Sequence, residues 1–279
     1  MKGQFLEGFS ETVLIFTDRY QKGGNVNQTW NTEKYAAEFS FVYEYGNDLL
    51  KLIDLTDEHG RRGIDLGCGN GVLTKSLADL GFEMTGMDAS SHQISAAQHN
   101  YPQLNFIQTD ATDFKTEEPV NLIFSNAVFH WIDRDKQPDM LKCVANALRY
   151  KGQFVFEMGG YGNNRLIHQE LEQVFSEYGY LYEMPFYFPT IGEYASLLEK
   201  AGLEVRYAIL FDRPTPLKGD KGLEEWIRMF VNNPFRQVSE KDREAIIRRT
   251  AENLRSRLYK DGIWYSDYVR LRMKALKRK

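Results

Sequence analysis

Asp65-Leu66-Gly67-Cys68-Gly69-Asn70-Gly71 closes a short apolar run, Arg62-Gly63-Ile64-Asp65-Leu66, and opens a helical one in which Leu73, Leu77 and Leu80 share a face. Glycines at alternate positions let the backbone turn tightly and let a ligand approach it closely. A strand-to-helix turn of this kind is where open α/β sheets bind ligands. The third glycine comes at Gly71 and is followed by Val72. That misses the G-x-G-x-x-G spacing of a pyrophosphate cradle, so a dinucleotide is disfavoured.

Working outward, Phe82 to Asp88 reads as a second strand and Ser91 to His99 as a helix. Leu104 to Thr109, Val120 to Ser125 and Gln153 to Met158 read as further strands, the last after a helix over residues 137–149. Apolar runs alternating with helical segments predict an α/β fold with a doubly wound, mostly parallel sheet. Beyond it, residues 164–179 read as a helix, Thr190-Ile191-Gly192-Glu193 as a capping box, and Val205 to Phe211 as a sixth strand. A mainly helical stretch between Pro214 and Gly262 precedes a seventh strand, Ile263 to Leu276. Two strands joined by a helical insertion without a crossover predict an antiparallel last strand, with the insertion as a cap. The expected division is an extension over 1–60, a core over 61–213, a cap over 214–262 and the final core strand over 263–279.

The 279 residues suit one large core carrying an insertion, and 42% hydrophobic with 27% charged residues is a globular balance that excludes collagen and disorder. The longest apolar runs, such as Val13 to Phe16, are far short of the roughly 18 residues that cross a bilayer, and no signal-peptide core is visible. Two separated cysteines, Cys68 and Cys143, make neither a disulfide framework nor a metal cluster. The expectation is a reduced, cytoplasmic protein with no metal and no membrane partner. A net charge of −4 opposes nucleic-acid binding, yet residues 241–279 hold 13 Lys or Arg against five acids. That excess of +8 is either a solvated surface or a positive wall drawing an anionic substrate.

Three further strand ends agree with the glycine turn. Gly86-Met87-Asp88-Ala89-Ser90 places a carboxylate 19 residues after Gly69, where it can accept ribose hydroxyls. Thr109-Asp110-Ala111 places a second acid at the next strand end, where it can meet an adenine amino group, and Ser125-Asn126-Ala127-Val128-Phe129-His130-Trp131 closes a fourth. Together these residues resemble the class I S-adenosylmethionine-dependent methyltransferases, whose Rossmann-like sheet the predicted strand order matches. The segment from Phe124 to Trp131 is similar to that of the trans-aconitate and malonyl-carrier-protein methyltransferases, and Asp261-Gly262-Ile263-Trp264-Tyr265 also looks like small-molecule members. The N/D-P-P-Y/F segment of nitrogen methyltransferases is missing from Asn126-Ala127-Val128-Phe129.

The resemblance implies S-adenosyl-L-methionine as cofactor, bound by Asp65, Gly67, Cys68, Gly69, Asn70, Gly71, Asp88, Ala89, Asp110, Ala111, Asn126 and Ala127. Tyr35 and Phe39, four apart on an expected helix, would close the pocket as a lid. Trp131, Arg257 and Tyr265 are the candidates for the acceptor, and His130 is either a catalytic base or a packed histidine. Asp88 is equally a good helix N-cap, and Cys68 equally a small side chain that fits its turn. The function expected is methylation of a small, anionic organic molecule. A cofactor-binding regulatory protein without turnover and a cyclopropane-forming lipid enzyme are the alternatives, and oligomeric state is not legible.

Overall fold

The computed structural model describes residues 48–55 and 60–279, so Tyr35, Phe39 and most of the expected extension lie outside the described residues. In chain order the elements are β1 (Arg62–Leu66), α1 (Val72–Asp79), β2 (Glu83–Asp88), α2 (Ser91–Asn100), β3 (Asn105–Gln108), β4 (Val120–Asn126), α3 (Gln137–Ala147) and β5 (Leu148–Gly159). Then follow α4 (Arg165–Glu177), α5 (Ile191–Lys200), β6 (Leu203–Leu217), α6 (Gly222–Phe230), α7 (Glu240–Leu258), the two-residue β7 (Tyr259–Lys260) and β8 (Ile263–Lys277). Half of the expected capping box forms: Thr190 Oγ1 accepts the Glu193 N–H at 3.2 Å and starts α5, while the Glu193 carboxylate pairs with Arg134 at 2.6 Å.

One sheet runs in the order β3-β2-β1-β4-β5-β8-β6, with β7 on β8. β1 to β5 pair in parallel, whereas β8 is antiparallel to both β5 and β6. The strand order reverses between β1 and β4, the switch point at which a doubly wound sheet opens a crevice. Both faces of β4 are buried: Leu122 and Phe124 join Leu73, Leu77 and Leu49 on one side, while Ile123 joins Met140, Leu141 and Val144 of α3 on the other.

Two boundaries differ from the sequence reading. β6 continues through Pro214 and Pro216 to Leu217, paired with β8 down to Trp264. It is an edge strand, and alternate residues of an edge direct their N–H away from the sheet, so prolines two apart are tolerated there. The cap is also larger than the insertion. Ile167, Leu171, Val174 and Phe175 of α4 share one core with Trp226, Ile227 and Phe230 of α6 and Ile246, Ile247 and Leu254 of α7. The amphipathic stripe of α4 was legible, but not that it faces the cap instead of the sheet. Among the described residues no helix is long and apolar enough to cross a membrane.

Candidate functional site

The C-terminal ends of β1, β2 and β4 open into a single cavity that continues under the cap. At its floor the turn after β1 is tied to β2, because the N–H groups of Gly67 and Cys68 both donate to Met87 O, at 2.7 and 3.0 Å. Gly67 has φ +78°, and a Cβ there would stand 2.2 Å from Val128 Cγ2, so only glycine fits. Gly69, at φ +53°, faces open space instead; its nearest neighbour would be Gln93 Oε1 at 4.0 Å.

Carboxylates anchor this half. Asp65 is buried and accepts from Thr74 Oγ1 at 2.6 Å, and burial pushes its pKa up to about 7. Asp88 accepts the Gly69 N–H at 3.0 Å through Oδ2 and the Ser90 N–H at 2.9 Å through Oδ1, and burial raises its pKa despite both bonds. The capping of α2 falls to Ser90, whose Oγ accepts from the Gln93 N–H. Burial also pushes the Cys68 thiol up, so it stays neutral.

Of the residues expected to touch the cofactor, Asp65, Gly67, Cys68, Gly69, Asp88, Ala89, Ala111, Asn126 and Ala127 line the cavity. Asn70, Gly71 and Asp110 do not. Asn70 is buried below the turn, and Gly71 abuts Phe106 and Tyr101. Asp110 Oδ1 is taken by the N–H and the hydroxyl of Thr112, both at 2.7 Å, so it shapes its own turn while Thr109 and Ala111 on either side reach the cavity. Ala127 holds φ +63°, an uncommon conformation for a residue with a Cβ, and its N–H donates to Glu157 O at 2.8 Å.

The other half is built by side chains. His130, Trp131, Phe186, Phe188, Trp226, Phe230 and Tyr268 line it together with Glu157, Arg213, Arg236 and Arg270. The segment carrying Phe186 and Phe188 is docked by the Tyr187 N–H on His130 O at 3.0 Å, and Trp131 meets Phe186 edge-on at 4.7 Å. Glu157, with a fully buried side chain, collects three arginines. Arg213 binds it through Nη1 and Nη2 at 2.6 and 3.2 Å, Arg270 through Nε at 3.2 Å, and Arg272 through Nε at 2.8 Å and Nη2 at 2.7 Å. Their attraction outweighs desolvation and lowers the Glu157 pKa, leaving three cations around one anion.

His130 and Trp131 therefore stand at the cavity as expected, but Arg257 and Tyr265 do not. Arg257 is exposed on α7, within electrostatic reach of Asp267. Tyr265 sits opposite Pro216, and the two-residue period of β8 puts it on the other face from Tyr268 and Arg270. The basic excess reaches the cavity through the sheet, not through the long cap helix. Glu157 and Arg213 went unread; the signal was a lone acid inside the apolar run Phe154-Val155-Phe156-Glu157-Met158.

Residues 64–152 match the profile of a methyltransferase domain. An uncharacterized methyltransferase of Schizosaccharomyces pombe is 33% identical over 262 residues, covering 89% of this chain and 98% of that protein. A trans-aconitate 2-methyltransferase of Rhizobium etli is 33% identical over 105 residues, which is 37% of this chain and 40% of that protein. Among solved structures, a TehB-like S-adenosylmethionine-dependent methyltransferase from Corynebacterium glutamicum superposes with a TM-score of 0.51 at 19% identity, covering 89% of this chain and 98% of that one.

Proposed function

This chain belongs to the class I S-adenosylmethionine-dependent methyltransferases, and we propose that within them it methylates a small anionic organic molecule held between the sheet edge and the cap. The observation that carries the proposal is one cavity with a glycine-and-carboxylate half joined to an arginine-and-aromatic half. The relatives named trans-aconitate 2-methyltransferase support an organic acid as acceptor.

The first half fits the cofactor. Gly69 leaves room that a Cβ would fill, and Gln93 Oε1 beside it is buried with no partner. Each oxygen of Asp88 accepts one backbone N–H and keeps a lone pair for a ribose hydroxyl. In this reading Gly67, Cys68 and Gly69 hold the amino-acid part, Asp88 and Ala89 the ribose, and Thr109 and Ala111 the base. S-adenosylmethionine, when bound, supplies a methyl on a sulfonium that departs as a neutral thioether.

The chain's own work is then alignment and the exclusion of water, which Trp131, Phe186, Trp226 and Phe230 perform by closing the acceptor half with apolar surface. A carboxylate is already a nucleophile, so no base is required. His130 is unsuited to be one: the Gly159 N–H donates to its Nδ1 at 3.3 Å, which puts the ring proton on Nε2, and burial with the neighbouring Arg270 charge holds its pKa well below the usual value. The test is incubation with methyl-labelled cofactor and a panel of organic acids, amines and phenols. Label is expected in base-labile esters of the acids; label confined to amines or phenols, or none at all, overturns the proposal.

A further inference from the structure

Two side chains in the acceptor half keep hydrogen-bond donors once the internal contacts are made. Arg270 is about nine-tenths buried and lines the cavity, yet it bonds Glu157 only through Nε; its two terminal amino groups donate to no described residue. Its guanidinium carbon stands 5.7 Å from the centre of the Tyr268 ring. His130 uses Nδ1 to accept from Gly159, and its Nε2–H likewise has no partner among the described residues. The two side chains lie close enough for the Arg270 charge to disfavour protonation of His130. The Nη edge of a guanidinium is the geometry that grips a carboxylate with two parallel bonds, and a neutral imidazole N–H adds a third donor without competing charge.

Aromatic rings flank these donors on several sides. The His130 ring lies 5.5 Å from Trp131 and 5.9 Å from Phe188, and Trp226 and Phe230 close the wall from the cap, their rings 5.3 Å apart. Of the other two arginines of the cluster, Arg213 bonds Glu157 through both Nη atoms, and Arg272 does not line the cavity.

We propose that Arg270 and His130 form a carboxylate-binding subsite of the acceptor pocket, and that its ligand is a monocarboxylate whose apolar body lies against Trp131, Phe186, Trp226 and Phe230. This rests on the reading of the cavity as the pocket of an anionic methyl acceptor and specifies which side chains select it. The subsite distinguishes an acid from its isosteric amide by charge, and a ligand with an apolar body from a polycarboxylate by the aromatic surface, on which a further charge would be desolvated.

The experiment measures binding, not turnover, by calorimetry on the full chain saturated with S-adenosylhomocysteine, using 3-phenylpropionate, its primary amide and trans-aconitate. The wild-type chain is expected to bind the acid at least tenfold more tightly than the amide, and more tightly than trans-aconitate. Arg270→Met should weaken the acid roughly ten- to hundredfold, as loss of a bond to a charged group does, and leave the amide within threefold. His130→Asn keeps an acceptor for the Gly159 N–H but removes the Nε2 donor, and should weaken the acid several-fold; His130→Gln restores a donor near that place and should recover most of the loss. Because Arg213 and Arg272 still neutralise Glu157 when Arg270 is replaced, the circular-dichroism spectrum of each variant should match the wild type. If Arg270→Met does not fold, the His130 pair decides. Equal binding of acid and amide by the wild type, or variants that weaken both alike, overturn the subsite; tighter binding of trans-aconitate overturns the apolar ligand. Methyl transfer to acids in the labelled assay alongside any of these results leaves the reaction standing and removes only the subsite.

Discussion

The two ends of the cavity are built by different means. Below the switch point, the cavity surface is mostly backbone: a glycine turn hung on Met87 O, the start of α2, and the loop residues Thr109 and Ala111. Under the cap it is side chain, contributed by β5, β6, β8, α6 and the segment around Phe186. A backbone site depends on φ angles and close approach, so one added Cβ at Gly67 already collides with Val128. A side-chain site can exchange Arg, Trp or Phe while strand geometry is kept. The first arrangement suits a constant ligand and the second a variable one, which is how a common cofactor is joined to many acceptors on one fold.

The contrast breaks first at Glu157. Replacing it by alanine leaves three arginines facing one another without their shared anion, and loss of one partner from a buried ionic cluster costs about 3–5 kcal/mol. Denaturant unfolding of Glu157→Ala should show a loss of that order; an unchanged midpoint would mean that the arginines swing out to solvent and that the acceptor half is not a fixed structure. A smaller effect is expected at Asp88, where alanine removes a charged acceptor worth roughly 1.5–3 kcal/mol. S-adenosylhomocysteine should bind Asp88→Ala about ten- to hundredfold more weakly by calorimetry. An affinity equal to wild type in a folded variant refutes the ribose role.

The smallest change belongs to Asp110, which the sequence presents as a cofactor contact and the structure as the acceptor of two bonds from Thr112. Asp110→Ala should cost on the order of 1 kcal/mol of stability, as loss of a turn-capping side chain does, with cofactor affinity within threefold of wild type. A drop beyond tenfold, measured in the same titration, would return Asp110 to the cofactor and extend the side-chain mode into the first half.

Legibility followed the range of the interactions. The strands, the helices and the antiparallel close were readable because apolar period and turn residues are local, and the glycine turn with Asp88 could be placed because each sits at a predicted strand end. Arg257 misses the cavity because its place in the sequence says nothing of which side of α7 meets it. Arg270 and Arg272 share one face of β8 by its two-residue period, yet their partner Glu157 is more than a hundred residues away in sequence.

What the sequence determined by itself is a doubly wound sheet with a ligand turn after β1, since backbone preference and hydrophobic period act over a few residues. Only the tertiary structure decided that α4 joins the cap and that Arg213, Arg270 and Arg272 meet around Glu157. The arginine cluster depends on the register of β8 between β5 and β6, and register is settled by the sum of side-chain packing across three strands, a quantity no single stretch of chain contains.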